Sequence, residues 1–175
     1  MKQGLIHLYT GEGKGKTTAA LGLLLRAHGR GMRVVLVQFL KGRETGEINS
    51  LNHLPGVTVM RNTRDFGFYK YENKQERAEI NQQNNKNLIE ASRLANEGLC
   101  DLLVLDEICS AYNCGALDIE FADTLIINKP SGLELVLTGR NAPNSFIESA
   151  DYITEFVKRK HPYDRGIAAR EGVEF

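Results

Sequence analysis

The segment Thr10–Gly22 (TGEGKGKTTAALG) constrains the fold more than any other part of the sequence. It follows a short apolar run, Leu5–Tyr9, and leads into Thr17–Arg30, where apolar residues recur at helical spacing before two glycines. This order predicts a strand, a glycine-rich turn and a helix in succession. A loop of that kind is typical of a phosphate-binding site.

One position departs from the usual G-x-x-x-x-G-K-[ST] pattern, because Thr10 stands where the leading glycine is expected. The glycines at 11, 13 and 15 still let the backbone turn several N–H groups toward one concavity, and the following helix adds its positive end. Lys16 supplies a point charge, and the Thr17 hydroxyl can bind Mg²⁺. A plain turn between strand and helix is the alternative, but the G-K-T-T context favours phosphate binding.

The rest of the chain alternates between apolar runs and helical patterns. Further strands are predicted at Arg33–Leu40, Val57–Met60, Leu102–Leu105, Glu134–Leu137 and Tyr152–Phe156. Helices are predicted near Lys74–Glu97, Asp118–Ile127 and Asn144–Ala150. This alternation predicts an α/β fold, a three-layer sandwich around a mostly parallel sheet, with ligands bound at the carboxyl ends of the strands.

Several polar residues follow the predicted strands and should therefore meet at that edge. Gln38 and Lys41 lie at the end of the second strand, and Thr138, Gly139 and Arg140 come after ELVL. The Arg140 guanidinium could reach a phosphate or the rest of the nucleotide, but the TGR motif alone does not decide whether it binds either. Arg26, on the first helix, is more simply an exposed structural arginine.

The run LLVLDE ends a buried strand in two acids, Asp106 and Glu107. Such a strand end holds the Mg²⁺ shell in nucleotide-binding proteins, and Asp106 is the residue in that position. In an ATPase, Glu107 would be the base for the attacking water. An ordinary acidic strand end is the alternative, which the preceding glycine loop makes less favourable.

Two other groups leave their role open. The aromatic residues of the segment after the third strand indicate either a site for a flat apolar ligand or a local mini-core: Phe66, Phe68, Tyr69 and Tyr71. The basic cluster Lys158–His161 could bind a phosphate or carboxylate, but a solvated charge run is the simpler interpretation.

Composition limits the possible partners and compartments. The 175 residues predict one domain, 1–175, and the formal net charge of zero gives no field to gather nucleic acid. The sequence contains no run of about 18 apolar residues and therefore predicts no membrane span. Three cysteines without C-x-x-C spacing favour a reducing, cytoplasmic setting.

Taken in order, the motifs resemble those of the corrinoid adenosyltransferases of the ATP:cob(I)alamin type. The resemblance spans nearly the whole chain: TGEGKGKTTAALG with Arg26, VQFLKG, Gly46-Glu47, VLDE, LTGR, Ala150-Asp151 and KHPYDRG with GVEF. It implies a RecA-like P-loop fold and a homodimer that transfers the 5′-deoxyadenosyl group of ATP to the Co(I) centre of a corrinoid, releasing inorganic triphosphate. The resemblance also implies a place in cobalamin biosynthesis and a reductase partner such as flavodoxin.

The resemblance implies a role for each matching residue. Lys16, Glu107 and Arg140 would be catalytic, and Thr17 and Asp106 would lie near Mg²⁺. Glu107 would position the nucleotide rather than activate water. Phe68, Tyr71 and His161 would contact the corrinoid. The nucleotide would lie against Gly11, Glu12, Gly13, Lys14, Gly15, Lys16, Thr17, Thr18, Arg26, Glu107 and Arg140.

Two departures from the family pattern stand out. Some members carry an N-terminal extension over the corrinoid site, whereas the first predicted strand here begins by Leu5. The family's aromatic segment can include a tryptophan, and this sequence has none. The alternative function is that of a P-loop ATPase that couples ATP hydrolysis to a partner. Such an ATPase needs neither the KHPYDRG ending nor the aromatic segment, and these two features distinguish the hypotheses.

Overall fold

The computed structural model of the protein describes residues 3–42, 45–62 and 74–174. Six strands form one sheet in the order β3-β2-β4-β5-β1-β6, and every pairing is parallel. The strands are β1 Ile6–Thr10, β2 Val34–Gln38, β3 Val57–Arg61, β4 Leu102–Asp106, β5 Glu134–Thr138 and β6 Tyr152–Glu155.

Helices cover both faces of the sheet. They are α1 Lys16–His28, α2 Gly46–Leu51, α3 Lys74–Asn96, α4 Ile108–Asn113, α5 Ile119–Ile127 and α6 Asn144–Ser149, followed by a 3₁₀ turn at Pro162–Arg165. One buried cluster packs α1 and α2 against one face of the sheet, and a second packs the helices α3, α4, α5 and α6 against the opposite face. The predicted α/β fold with three layers is confirmed, and the sheet is wholly parallel among the described strands.

The strands agree with the sequence prediction, whereas three short elements were missed. Helices α2 and α4 have six residues each, and the 3₁₀ turn has four. An element shorter than two turns shows little of a 3.6-residue period and is easily overlooked, although α6, which also has six residues, was predicted. The apolar strands were easier because a strand covered on both faces is continuously apolar: β2 and β4 are buried at every position.

The carboxyl ends of four adjacent strands define one edge of the sheet. Gln38 of β2 pairs in register with Asp106 of β4, and Tyr9 of β1 pairs with Thr138 of β5. Parallel strands bring these ends together, as predicted. Among the described residues, no helix is both long enough and apolar enough to cross a bilayer.

Candidate active site

The glycine loop between β1 and α1 is shaped against the end of β6. Gly11 and Gly15 have φ of 100° and 118°, in the region that favours glycine. Gly13 donates its backbone N–H to the Phe156 carbonyl over 2.6 Å, and a Cβ on Gly13 would lie 2.7 Å from the Phe156 carbonyl carbon. The alternating glycines are therefore needed both for backbone angle and for close approach.

Lys16 begins α1 directly after this loop and is 7% exposed. Its ammonium donates to the carbonyls of Gly11 over 2.6 Å and Gly13 over 2.9 Å. Burial lowers the pKa of Lys16, and the negative charge of Glu107 partly opposes that shift. The ammonium thus lies inside the concavity of the loop, where a phosphate would replace neutral carbonyl partners with anionic oxygens.

Asp106, at the end of β4, is fully buried and is the centre of the polar cluster. Its Oδ1 accepts hydrogen bonds from the hydroxyls of Thr17 over 2.9 Å and Thr138 over 2.8 Å. Its Oδ2 accepts from the Lys41 ammonium over 2.7 Å and from the Gln38 amide over 3.3 Å. Four side chains therefore converge on one carboxylate and satisfy the charge that burial would otherwise penalise.

Glu107 follows Asp106 in a left-handed conformation, with φ of 62° and ψ of 23°. Its backbone N–H donates to Thr138 Oγ1 over 2.9 Å, and its Oε2 accepts from the Ser110 hydroxyl over 2.7 Å. A non-glycine residue at positive φ is uncommon and indicates a position that its surroundings determine. The turn points the chain into α4 while the Glu107 carboxylate stays at the active edge.

Positive φ at non-glycine residues is confined, among the residues that the structure describes, to this edge of the sheet. Leu40 has φ of 56° just after β2, Glu107 lies just after β4, and Asn141 has φ of 51° just after β5. Such conformations cluster at ligand sites because they direct neighbouring side chains. Here those neighbours are Lys41, Asp106 and Arg140.

Two ion pairs cross the mouth of the loop. Arg140 Nη1 lies 3.3 Å from Glu12 Oε2, and both side chains are 59% exposed. Lys14 Nζ donates to Glu174 Oε1 over 2.9 Å, so the C-terminal turn contacts the loop. Exposed pairs of this kind contribute little to stability, and both can open for a ligand.

The sequence of this chain matches, over residues 2–175, the family described as ATP:corrinoid adenosyltransferase. The chain belongs to that family. Family membership makes it a transferase with ATP and a corrinoid as substrates, which confirms the resemblance inferred from the motifs. The glycine loop and the Asp106 cluster lie next to each other at the carboxyl edge of the sheet, joined by the hydrogen bond from Thr17 to Asp106.

Curated relatives agree with this assignment. The chain is 38% identical to a corrinoid adenosyltransferase of Sinorhizobium sp. over 99% of its own length and 81% of that protein. It is 35% identical to a corrinoid adenosyltransferase of Pseudomonas aeruginosa, over 99% of this chain and 85% of that protein. It is 30% identical to the corrinoid adenosyltransferase CobA of Salmonella typhimurium, over 99% of this chain and 87% of that protein.

A solved structure supports the fold alone. The KaiC-like protein PH0186 of Pyrococcus horikoshii superposes with a TM-score of 0.57 at 18% identity, covering 92% of this chain and 76% of that one. This likeness agrees with the three-layer α/β fold that the sequence predicted.

Not every predicted residue of this transferase lies in the cluster. Thr18 is exposed on the first turn of α1. Arg26 is exposed in the last turn of the same helix. Burial raises the pKa of Tyr9, and the positive charge of Arg26 partly opposes that shift. His161 caps the 3₁₀ turn, its Nδ1 accepting from the Tyr163 N–H over 3.2 Å. Phe68 and Tyr71 lie outside the described residues, with the rest of the aromatic segment.

The structure also adds residues to which sequence reasoning gave no role. Lys41, Gln38 and Thr138 each contact Asp106, although the sequence placed them only at the same edge of the sheet. Strand register could have paired Gln38 with Asp106, because parallel neighbours end together. The side-chain directions that bring Lys41 and Thr138 onto the carboxylate have no local sequence signal.

Proposed function

We propose that the protein transfers the 5′-deoxyadenosyl group of ATP to the Co(I) centre of a corrinoid. The cobalt electron pair forms a bond to C5′, the C5′–O5′ bond breaks, and its electron pair leaves with inorganic triphosphate. Cobalt is formally oxidised from Co(I) to Co(III). The observation that supports this reaction is the position of Lys16, which is buried inside the glycine loop. The next residue, Thr17, is hydrogen-bonded to Asp106. Such a site is suited to holding a triphosphate intact.

In this proposal the loop binds the leaving group. Backbone N–H groups of residues 11–18, except that of Gly13, which is bonded to the Phe156 carbonyl, surround the triphosphate together with the Lys16 ammonium. Lys14 and Arg140 would add positive charge at the loop mouth after leaving Glu174 and Glu12. Stabilising the charge that develops on departing triphosphate lowers the barrier without any base.

Glu107 and Arg140 are proposed to position the nucleoside. The left-handed turn at Glu107 and its bond from Ser110 hold the carboxylate in one orientation. Positioning matters because attack at C5′ requires cobalt, carbon and leaving oxygen to lie in line. Arg26 lies farther along α1 and is proposed only to assist electrostatically.

The residues around Asp106 fit a Mg²⁺ ion. Thr17 and Asp106 supply the hydroxyl and carboxylate oxygens that Mg²⁺ prefers, and the Lys41 ammonium shows that the position attracts a cation. Gln38 Oε1 is buried beside them without a hydrogen-bond partner. When bound with ATP, Mg²⁺ neutralises triphosphate charge. Thr17 and Asp106 are the residues proposed to hold it.

The corrinoid is proposed to lie where Phe68, Tyr71 and His161 can contact it, as the resemblance implies. We further propose a homodimer of the 1–175 domain, a cytoplasmic location and an external reductant such as flavodoxin, since Co(I) must be generated before transfer. The three free cysteines support a reducing compartment. Zero net charge supports small-molecule substrates over nucleic acid.

A single anaerobic experiment tests the reaction. Purified protein is mixed with ATP, Mg²⁺ and chemically reduced cobalamin, and the cobalt spectrum is followed while the phosphate product is identified by chromatography. We expect adenosylcobalamin and inorganic triphosphate in equal amounts. ADP and phosphate with an unchanged cobalt spectrum would instead indicate the P-loop ATPase alternative.

A further inference from the structure

Lys41 occupies the position between the two residues proposed to hold Mg²⁺. Its ammonium lies 2.7 Å from Asp106 Oδ2 and 3.0 Å from Thr17 Oγ1. Asp106 is fully buried, whereas the Lys41 side chain is 28% exposed. The cluster therefore already contains a cation, which the protein supplies from the end of β2.

The backbone before Lys41 is set for this contact. Leu40 adopts φ of 56°, a conformation that is unfavourable for a bulky non-glycine residue. Phe39 N–H donates to the Asp106 carbonyl over 3.0 Å, so the segment after β2 stays attached to β4 as it turns. A strained residue that delivers one ammonium to one buried carboxylate indicates a functional requirement at Lys41.

The ammonium and a divalent ion cannot share these ligands. Both need the same Asp106 carboxylate and the same Thr17 oxygen, and two cations held a few ångströms apart inside a protein repel strongly. Lys41 must therefore leave when a metal binds. Its exposed fraction gives it room to move, and its contact with Thr17 places it next to the first turn of α1 and the loop.

We propose that Lys41 is a resident counter-ion, which holds Thr17 and Asp106 in place without metal and then yields them to Mg²⁺, moving its ammonium onto the triphosphate. This inference rests on the proposed Mg²⁺ site and deepens it. Lys41 neutralises Asp106 in the free protein and adds positive charge to the leaving group in the loaded one. Because Lys41 supplies positive charge when Mg²⁺ is absent, the dissociation constant for ATP should differ only moderately with and without Mg²⁺.

The test measures how strongly metal and nucleotide binding are coupled. ATP dissociation constants are determined calorimetrically with excess Mg²⁺ and with EDTA, without corrinoid, for the wild type and Lys41→Met. Without the Lys41 ammonium, Mg²⁺ no longer competes with a protein cation for Asp106 and Thr17. In EDTA, where Mg²⁺ is absent, the variant also lacks the ammonium that would otherwise neutralise triphosphate charge. We expect the ratio of the EDTA constant to the Mg²⁺ constant to rise at least about tenfold in Lys41→Met.

Lys86→Met is the matched control, because Lys86 is exposed on α3 and carries the same charge. Its ratio should equal that of the wild type. A ratio in Lys41→Met within twofold of the wild type, or an equal rise in Lys86→Met, would overturn the proposal. Cobalt chemistry does not enter this measurement, so the resident-ion proposal and the transfer reaction can fail separately.

A second measurement uses Mn²⁺ as the probe and no nucleotide. Electron paramagnetic resonance of free Mn²⁺ should show several-fold tighter binding to Lys41→Met than to the wild type; equal or weaker binding contradicts displacement. If Lys41→Met does not fold, crystals of the wild type with Mg²⁺ and ATP decide the matter. The Lys41 Nζ to Asp106 distance should then exceed 3.5 Å, and persistence of the present 2.7 Å contact overturns the proposal.

Discussion

Thr138 donates its hydroxyl to Asp106 Oδ1 over 2.8 Å while accepting the backbone N–H of Glu107 over 2.9 Å. One fully buried oxygen thus fixes two consecutive acidic residues at the end of the neighbouring strand. The contact links β5 to β4 exactly where the site begins, so it couples the stability of the sheet to the orientation of both acids.

Replacing Thr138 with Val should damage both properties. The substitution keeps the side-chain shape but leaves the Glu107 N–H without its partner and removes one donor from Asp106, at a cost of about 1–3 kcal/mol in the free energy of unfolding. We expect kcat/KM for adenosyl transfer to fall about tenfold through misplacement of the acids. Urea unfolding and anaerobic kinetics measure these effects. Thr138→Ser keeps the hydroxyl and should stay near wild type; equal loss in both variants would assign the effect to packing.

Replacing Glu107 with Gln should reduce transfer without unfolding the protein. The amide keeps the size of the side chain but loses the charge that we propose orients the nucleotide, so we expect kcat/KM for ATP to fall about tenfold. Ser110→Ala removes only the hydrogen bond to Oε2 and should give a smaller loss. Steady-state kinetics with ATP and with corrinoid varied in turn provide the measurement. Unchanged kinetics for both substrates in Glu107→Gln would remove its positioning role.

Replacing Gly139 with Ala should be among the more destabilising single changes near the site. Gly139 has φ of 145°, and an added Cβ would lie 2.6 Å from the Cys109 Cβ. Strain and overlap together should cost about 1–3 kcal/mol or more. Gly98→Ala, at φ of 67° with open space around it, introduces a smaller backbone strain and no overlap, and should lower the melting temperature less. Calorimetric scans compare the two, and equal losses would exclude the steric contribution.

The cysteines should differ sharply in reactivity. Burial raises the pKa of both Cys100 and Cys109 to about 12, whereas Cys114 is only partly buried. At pH 8 a pKa near 12 leaves about one thiolate in ten thousand, and the thiolate is the reactive species. We expect a thiol reagent to label Cys114 first in the native protein and the other two only on unfolding. Mass spectrometry of digested samples locates the label; rapid native labelling of Cys109 would contradict its enclosure.

The sequence predicted the architecture better than the cluster within it. Segments rich in apolar and β-branched residues revealed the six described strands, and the glycine spacing revealed the loop, because both are local patterns. The hydrogen bond from Lys14 to Glu174 joins residues far apart in the chain, and no periodicity connects them. The contact of Lys41 with Asp106 depends on the left-handed turn at Leu40, where sequence alone gives no reason to expect a non-glycine residue at positive φ.

The position of β1 in the sheet has a consequence for synthesis in the cell. Of the six described strands β1 is translated before the others, yet it lies between β5 and β6, and the Ile6 N–H donates to Asp151 across 145 residues. At about 5–20 residues per second, a ribosome needs roughly 7–30 s to make that intervening chain. The glycine loop therefore emerges long before Phe156, against which it is shaped. We expect nascent chains that end before β6 to have no ATP-dependent protection of the loop from protease, so that ligand binding is acquired only when translation of the last strand is finished.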